Sequence, residues 1–195
     1  GTTPGINLFL AVREKVCLKV HVLIRPRFGD FCYTDEEFSI MLKDVEMFRK
    51  NGADGVVIGM LNKDGSLDAA RMEKLISAAG DMSITLHRAF DVCRDPFRTM
   101  EEAMDLGIST ILTSGQKNRC YDGKELIREL VEKAGNRIDI MVGGGVKGTI
   151  IRELVDITRA RSFHMSGKIE IDSAMVYRKK DVSMGLPMLS EYTIF

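Results

Sequence analysis

The sequence lacks an excess of charge of either sign. Its 195 residues include 28 Lys and Arg against 28 Asp and Glu, so the formal net charge is zero. A protein that binds nucleic acid usually carries a basic excess, because neutralising phosphates supplies much of its affinity. The composition therefore predicts no nucleic-acid partner.

Long apolar runs and paired cysteines are absent as well. The longest apolar runs, such as residues 56–60, are far shorter than the roughly 20 residues that span a bilayer. No basic segment followed by an apolar stretch opens the chain, so no secretory signal is predicted. The four cysteines form no C-x-x-C pair and read as free thiols: Cys17, Cys32, Cys93 and Cys120. These absences favour a cytoplasmic protein with no membrane partner.

The remaining composition is that of a globular protein. Hydrophobic residues make up 45% of the chain and charged residues 29%, which is enough apolar material for one large core. We therefore expect a single domain over residues 1–195. Strand-like and helix-like segments alternate along it. Predicted strands cover residues 18–25, 55–60, 84–90, 110–113, 138–142 and 162–165, and predicted helices cover 4–15, 35–50, 68–79, 96–106, 123–134 and 149–158.

This alternation is typical of parallel βαβ units, which build either an open doubly wound sheet or a closed (β/α)₈ barrel. Polar residues lie at the ends of several successive predicted strands: Arg25, His87, Ser114, His164 and Ser166. A barrel brings all such strand ends to one mouth, whereas an open sheet concentrates them at a single switch point. The pattern favours an α/β fold of the TIM-type (β/α) barrel.

Six of the eight units of such a barrel are visible. Thr3 and Pro4 are typical of a helix start, yet no strand precedes that helix. We expect a first strand, a helix and a second strand to lie before residue 1. The segment after Lys168 has no long amphipathic pattern, and its VSMGLPMLSEY stretch predicts an irregular cover.

The first candidate site follows the first predicted strand. Arg25 ends that strand, and Arg27 and Asp30 follow in the loop. Two arginines at a strand end suit a phosphate or a carboxylate, which a guanidinium can bind through two hydrogen bonds. The alternative is an Arg–Asp surface ion pair that only holds the loop.

The second candidate site is His87, Arg88 and Asp91. With a period of two, Thr85 and His87 face the barrel axis. A histidine in a barrel mouth can act as an acid, a base or a ligand, so His87 is the candidate catalytic residue. The alternative is a histidine that is satisfied within the core.

The third candidate site is the glycine turn formed by Gly143, Gly144 and Gly145. Its glycines allow close approach of a ligand, and the helix that follows offers free N–H groups to an anion. The polar residues that follow neighbouring strands would complete this site: Ser114, His164 and Ser166. The alternative is a tight turn without a ligand.

Sulfur-containing side chains raise the possibility of Cu(I), which prefers thiolate and thioether ligands. Candidate ligands are Cys32, His164 and Met165. Most methionines sit at helical or strand spacing, which is typical of packing rather than of metal binding.

Several strings of residues match a known family in the right order along essentially the whole chain. They include IRPRFGDFCYTDEE, TLHRAFDVCRDP, VGGGV and FHMSGK. With these strings the chain resembles the CutC family of copper homeostasis proteins. The resemblance implies a TIM-type barrel, a cytoplasmic location and Cu(I) binding. It also implies that two cysteines associated with copper lie on strands before residue 1.

Two functions from different classes follow. The resemblance implies a copper homeostasis protein that binds Cu(I). The residues themselves suggest a barrel enzyme, or a binding protein, for a small phosphorylated or carboxylated ligand at the mouth. An interaction scaffold is a third option, and unpaired strand edges would favour a homodimer. Fold alone does not choose among them.

Overall fold

The computed structural model describes residues 1–179, 181–182 and 193–194. The chain divides into two compact units, Gly1–Met165 and Ser166–Phe195.

The first unit alternates helices and strands. Its helices are α1 (Ile6–Arg13), α2 (Asp35–Lys50), α3 (Ala69–Ala79), α4 (Pro96–Asp105), α5 (Lys124–Ala134) and α6 (Gly148–Thr158). Its strands are β1 (His21–Leu23), β2 (Gly55–Ile58), β3 (Ser83–Leu86), β4 (Thr110–Thr113), β5 (Asp139–Val142) and β6 (Ser162–Phe163). A 3₁₀ helix, Arg88–Val92, follows β3.

The six strands form one sheet in which every pairing is parallel. Their spatial order is their order along the chain, from β1 to β6. Side chains from both edges of this sheet, Arg25 after β1 and His164 after β6, line the same cavity, so the sheet is curled. This is part of a TIM-type α/β barrel and confirms the predicted fold class.

Local sequence explains where the helices begin. Thr34 accepts a hydrogen bond from the Glu37 amide, and the Glu37 carboxylate accepts one from the Thr34 amide, which makes a capping box at the start of α2. Met41, Val45 and Phe48 then recur on the buried face of this helix. They pack in a core that includes the outward-facing strand residues Val56, Ile58, Leu86 and Ile111.

The predicted strand 84–90 was too long. The β3 strand ends at Leu86, because the His87 side chain accepts a hydrogen bond from the Ala89 amide and starts a 3₁₀ turn. This turn brings Asp91 within hydrogen-bond distance of the end of β4. The 3₁₀ turn that replaces the end of the predicted strand therefore positions Asp91 beside β4.

In the second unit, β7 (Ile171–Asp172) pairs antiparallel with β8 (Thr193–Ile194). Asp172 and Arg178 form an ion pair of 2.6 Å. The predicted irregular cover lies mostly outside the described residues, since 183–192 are not among them. Within the part of the chain that the structure describes, no helix has the length and apolar character to cross a membrane.

Candidate functional site

The curled sheet encloses a cavity of about 530 Å³, within the range of small-molecule sites. Every strand from β1 to β5 contributes to its wall, and His164 follows β6. The lining residues are Gly1, His21, Leu23, Arg25, Phe31, Val57, Thr85, His87, Arg88, Leu112, Met141 and His164. Arg25 and His87, predicted to converge from distant stretches, both line this cavity, and Thr85 and His87 face it as the strand period predicts.

Arg25 is the cation in this wall that has no acidic partner. Its Nη2 donates to the Gly29 carbonyl at 2.7 Å, and its Nη1 lies 3.4 Å from the Gly1 carbonyl. Its guanidinium carbon lies 4.7 Å from the centre of the Phe31 ring. Across the described residues, Arg25 has no carboxylate at ion-pair distance, and its buried Nε has no hydrogen-bond partner.

His87 is almost fully buried beside Arg25, with 5% of its surface exposed. Its Nδ1 accepts a hydrogen bond of 3.1 Å from the Ala89 amide, so the proton of the neutral ring is on Nε2. Burial, reinforced by the Arg25 charge, lowers the pKa of His87 to about 3. The ring therefore stays neutral near pH 7, and its buried Nε2–H has no partner among the described residues.

Arg88, Asp91 and Ser114 form a network between the ends of β3 and β4. Arg88 Nε pairs with Asp91 at 2.6 Å, and Arg88 Nη2 donates to the Ser114 hydroxyl at 2.8 Å. Asp91 also accepts from the Thr113 hydroxyl at 2.6 Å and from the Ser114 amide at 2.9 Å. The network neutralises Arg88 and fixes its guanidinium at the cavity wall.

Arg27 and Asp30, two further predicted ligand-binding residues, are engaged with protein groups. Arg27 pairs with Glu37 at 2.5 Å and with Asp30 at 3.0 Å, and it donates to the Cys32 carbonyl. The two carboxylates raise the pKa of Arg27, and the Arg27 hydrogen bond lowers that of Asp30. Neither residue lines the cavity, and the pair holds the loop against the start of α2.

The glycine turn at 143–145 lies close to the network of Arg88, Asp91 and Ser114 and not in the cavity wall. A Cβ on Gly144 would stand 2.9 Å from the Ser114 Cβ and 3.6 Å from the Arg88 guanidinium carbon. A Cβ on Gly143 would stand 2.5 Å from Leu112, and one on Gly145 would approach Arg119. Leu112 and Ser114 thus account for Gly143 and Gly144, and a φ of 81° accounts for Gly145, while a ligand at the turn stays a prediction.

The candidate metal ligands follow strands at the two edges of the sheet. Cys32 is half-buried in the loop after β1, and His164 and Met165 are exposed after β6. Ser166 is the first residue of the second unit. No group of three His, Cys, Asp or Glu side chains with metal-binding geometry occurs among the residues whose structure is described.

Several residues of the site were missed from the sequence. Phe31 contacts both key side chains, with its ring centre 4.8 Å from that of His87. Thr113 anchors Asp91, and Gly59 gives the imidazole its space. Gly59 carried a usable signal: it lies two residues after inward-facing Val57, where a glycine leaves room in a barrel wall.

Comparisons with known proteins agree with this architecture. The CutC family model matches residues 1–169. The CutC family proteins of Salmonella schwarzengrund and Citrobacter koseri are 42% and 43% identical over 184 residues, which cover 94% of this chain and 73% of each relative. The crystal structure of a CutC protein from Streptococcus agalactiae, whose name refers to copper homeostasis, has a TM-score of 0.79 and 33% identity, and the match covers 84% of this chain and 81% of that one. The chain therefore belongs to the CutC family.

Proposed function

We propose that this protein binds a small anionic ligand, phosphorylated or carboxylated, in the cavity at the carboxyl ends of its strands. The supporting observation is Arg25, a cavity-lining guanidinium with no carboxylate at ion-pair distance in the described structure. A partly buried cation without an anion is costly, and a bound anion would remove that cost.

The charges around Arg25 favour an anion. Arg88, the other arginine in the wall, is neutralised by Asp91. Among the described residues, no carboxylate lines the cavity, so Arg25 keeps an uncompensated positive charge there. A guanidinium binds oxyanions through paired, charge-assisted hydrogen bonds.

His87 supports the same site as a neutral hydrogen-bond donor. Because the pKa of His87 is about 3, its imidazole is uncharged near pH 7 when the cavity holds no anion. Its Nε2 is buried, so a ligand reaches it only after neighbouring side chains move. A bound anion would raise the pKa of His87, and only then would the ring serve as a proton carrier for a reaction.

The test is a thermal-shift screen of phosphorylated and carboxylated metabolites on the wild-type chain and on Arg25→Gln. We expect a subset of anions to raise Tm of the wild type and to lose this effect in the variant. Arg98→Gln is the matched control, since Arg98 is an exposed arginine of α4 paired with Glu102. Anions that stabilise both variants equally, or no stabilising anion at all, would refute the proposal.

Cu(I) binding is a second proposal, supported by the copper homeostasis name of the Streptococcus agalactiae relative. The described cysteines are all free, and Cys32 is only half-buried. Titrating the reduced protein with Cu(I) against a competing chelator tests it, with Cys32→Ser as the variant and the exposed Cys17→Ser as the control. Equal affinity in wild type and Cys32→Ser would remove Cys32 as a ligand, and affinity no better than that of an unrelated thiol protein would remove the proposal.

We also propose a cytoplasmic location and a homodimer. Free cysteines are typical of reducing compartments, and β1 and β6 are edge strands that can pair with another chain. Sedimentation at several concentrations tests the dimer, and a monomer throughout would contradict it.

A further inference from the structure

We infer that the ligand is a monocarboxylate with an apolar body, and not a phosphorylated compound. This inference rests on the anion site proposed above and narrows its ligand to one chemical class. Three features of the cavity carry it: the walls, the charge and the shape of the cationic group.

The walls are mainly hydrocarbon. Leu23, Val57, Leu112 and Met141, from four different strands, line the cavity between its polar groups. Of the described residues in the lining, only Thr85 has a hydroxyl side chain. A polyol phosphate would place several hydroxyl groups against these walls without partners, and each buried unsatisfied group costs free energy. An alkyl or aryl body would instead gain by leaving water.

The cavity has one uncompensated arginine, which matches a ligand with a single negative charge. Arg25 is uncompensated, whereas Arg88 is paired with Asp91 at 2.6 Å. His87 is neutral, and the other two histidines of the lining, His21 and His164, are exposed to solvent. A carboxylate carries one negative charge, whereas a phosphate monoester carries about 1.5 to 2 near pH 7. The second charge of a phosphate would remain unpaired beside apolar walls.

The shape of the cationic group also suits a carboxylate. The Arg25 guanidinium carbon lies 4.7 Å from the centre of the Phe31 ring. This contact restricts the orientation of the planar guanidinium. One of its nitrogens makes only a long contact of 3.4 Å, to the Gly1 carbonyl. A planar carboxylate can replace such contacts with two parallel hydrogen bonds.

The glycine turn, which could favour a phosphate, lies outside the wall of this cavity. The Gly143 amide donates to the Thr113 carbonyl at 2.8 Å, and the Gly144 carbonyl accepts from the Cys120 amide at 2.8 Å. Leu112, Ser114 and Arg119 occupy the space beside the three glycines. The glycine turn therefore belongs to the packing between the loops after β4 and β5.

The test is an NMR titration of the intact chain with acetate, propionate, butyrate and pentanoate, and separately with inorganic phosphate and glycerol phosphate. We expect each added methylene to tighten binding by about fourfold, the value for burying one such group. Arg25→Gln should abolish the binding of the whole series. Leu112→Asn, in the half-buried wall, should flatten the gain in affinity along the series, whereas Arg98→Gln, outside the cavity, should bind the whole series as the wild type does.

The outcomes separate this inference from the proposal on which it rests. Affinities that do not rise with chain length would overturn the apolar body. Arg25-dependent binding of phosphate or glycerol phosphate that is tighter than any carboxylate would overturn the ligand class and leave the anion site standing. If none of the six probes binds, this inference fails and the metabolite screen alone decides the anion site. If the probes bind Arg25→Gln as well as the wild type, both fail. Even if the Leu112 variant does not fold, the affinities of the wild type for acetate to pentanoate decide whether the site binds an apolar body.

Discussion

The His87 ring occupies the space that a side chain on Gly59 would need. A Cβ on Gly59 would stand 2.6 Å from both Cε1 and Nδ1 of His87, and 3.0 Å from the Ala89 Cβ. Real Cβ atoms essentially never approach so closely. Gly59 thus leaves the space that the buried imidazole occupies, although the two residues follow different strands, β2 and β3.

Gly59→Ala should displace the imidazole. Since the neighbours are tightly packed, we expect a loss of about 1–3 kcal/mol in the free energy of unfolding, as for other overpacked sites. Urea denaturation measures it. Gly148→Ala is the control, because nothing lies within 4 Å of the added Cβ there, and it should leave stability nearly unchanged. Equal effects of the two substitutions would contradict the packing described for His87.

Asp91→Ala should be strongly destabilising. The 5%-exposed Asp91 side chain accepts hydrogen bonds from Thr113, Ser114 and Arg88, and its removal leaves those donors unsatisfied. We expect a loss of about 2–4 kcal/mol in unfolding free energy. Asp105→Ala, at an exposed position of α4, is the comparison and should cost far less. A small effect at Asp91 would mean that the network is not needed to join β3 to β4.

The two arginines of the first loop should separate binding from stability. Arg27 is engaged with Glu37 and Asp30, so Arg27→Gln should lower Tm with little effect on the affinity for anions. Arg25→Gln should abolish anion binding, and Tm without ligand should fall less. Thermal denaturation with and without a carboxylate gives both numbers for each variant. The reverse pattern would assign ligand binding to Arg27.

His87 should make stability depend on pH. The unfolded chain takes up a proton on this side chain below its ordinary pKa of 6.5, whereas the folded chain does so only near pH 3. Stability is therefore complete above about pH 6.5 and falls with decreasing pH, by up to about 1.4 kcal/mol per pH unit.

His87→Asn is the variant for this test, since its side-chain oxygen can still accept from the Ala89 amide. We expect its unfolding free energy between pH 6.5 and 4 to vary less with pH than that of the wild type. Parallel pH profiles for wild type and His87→Asn would show that His87 is not a neutral buried residue.

Periodicity and capping signals predicted the elements of the first unit closely. Helix 35–50 matches α2 because Thr34 and Glu37 form a capping box that the sequence displays. The direction of Thr85 and His87 into the cavity also followed from strand alternation. The end of β3 did not, because a side-chain hydrogen bond from His87 to the Ala89 amide decides it, and no periodic pattern reports such a bond.

The sequence predicted which kinds of residue form the site, but not which individual residue has which partner. The sequence grouped Arg25 with Arg27 and could not tell which one has an acidic partner, since Glu37 lies ten residues further on. It also predicted the glycines at 143–145 as space for a ligand, but it could not show that Leu112 and Ser114 pack against Gly143 and Gly144, and a ligand at this turn stays a prediction. Such distinctions depend on contacts between distant segments.

The most direct measurement is a crystal structure of this chain grown with pentanoate. The account predicts the carboxylate at hydrogen-bond distance from the Arg25 guanidinium, with the alkyl chain against Leu23 and Leu112. A carboxylate bound at the glycine turn or outside the cavity, with Arg25 still on its carbonyl partners, would contradict it.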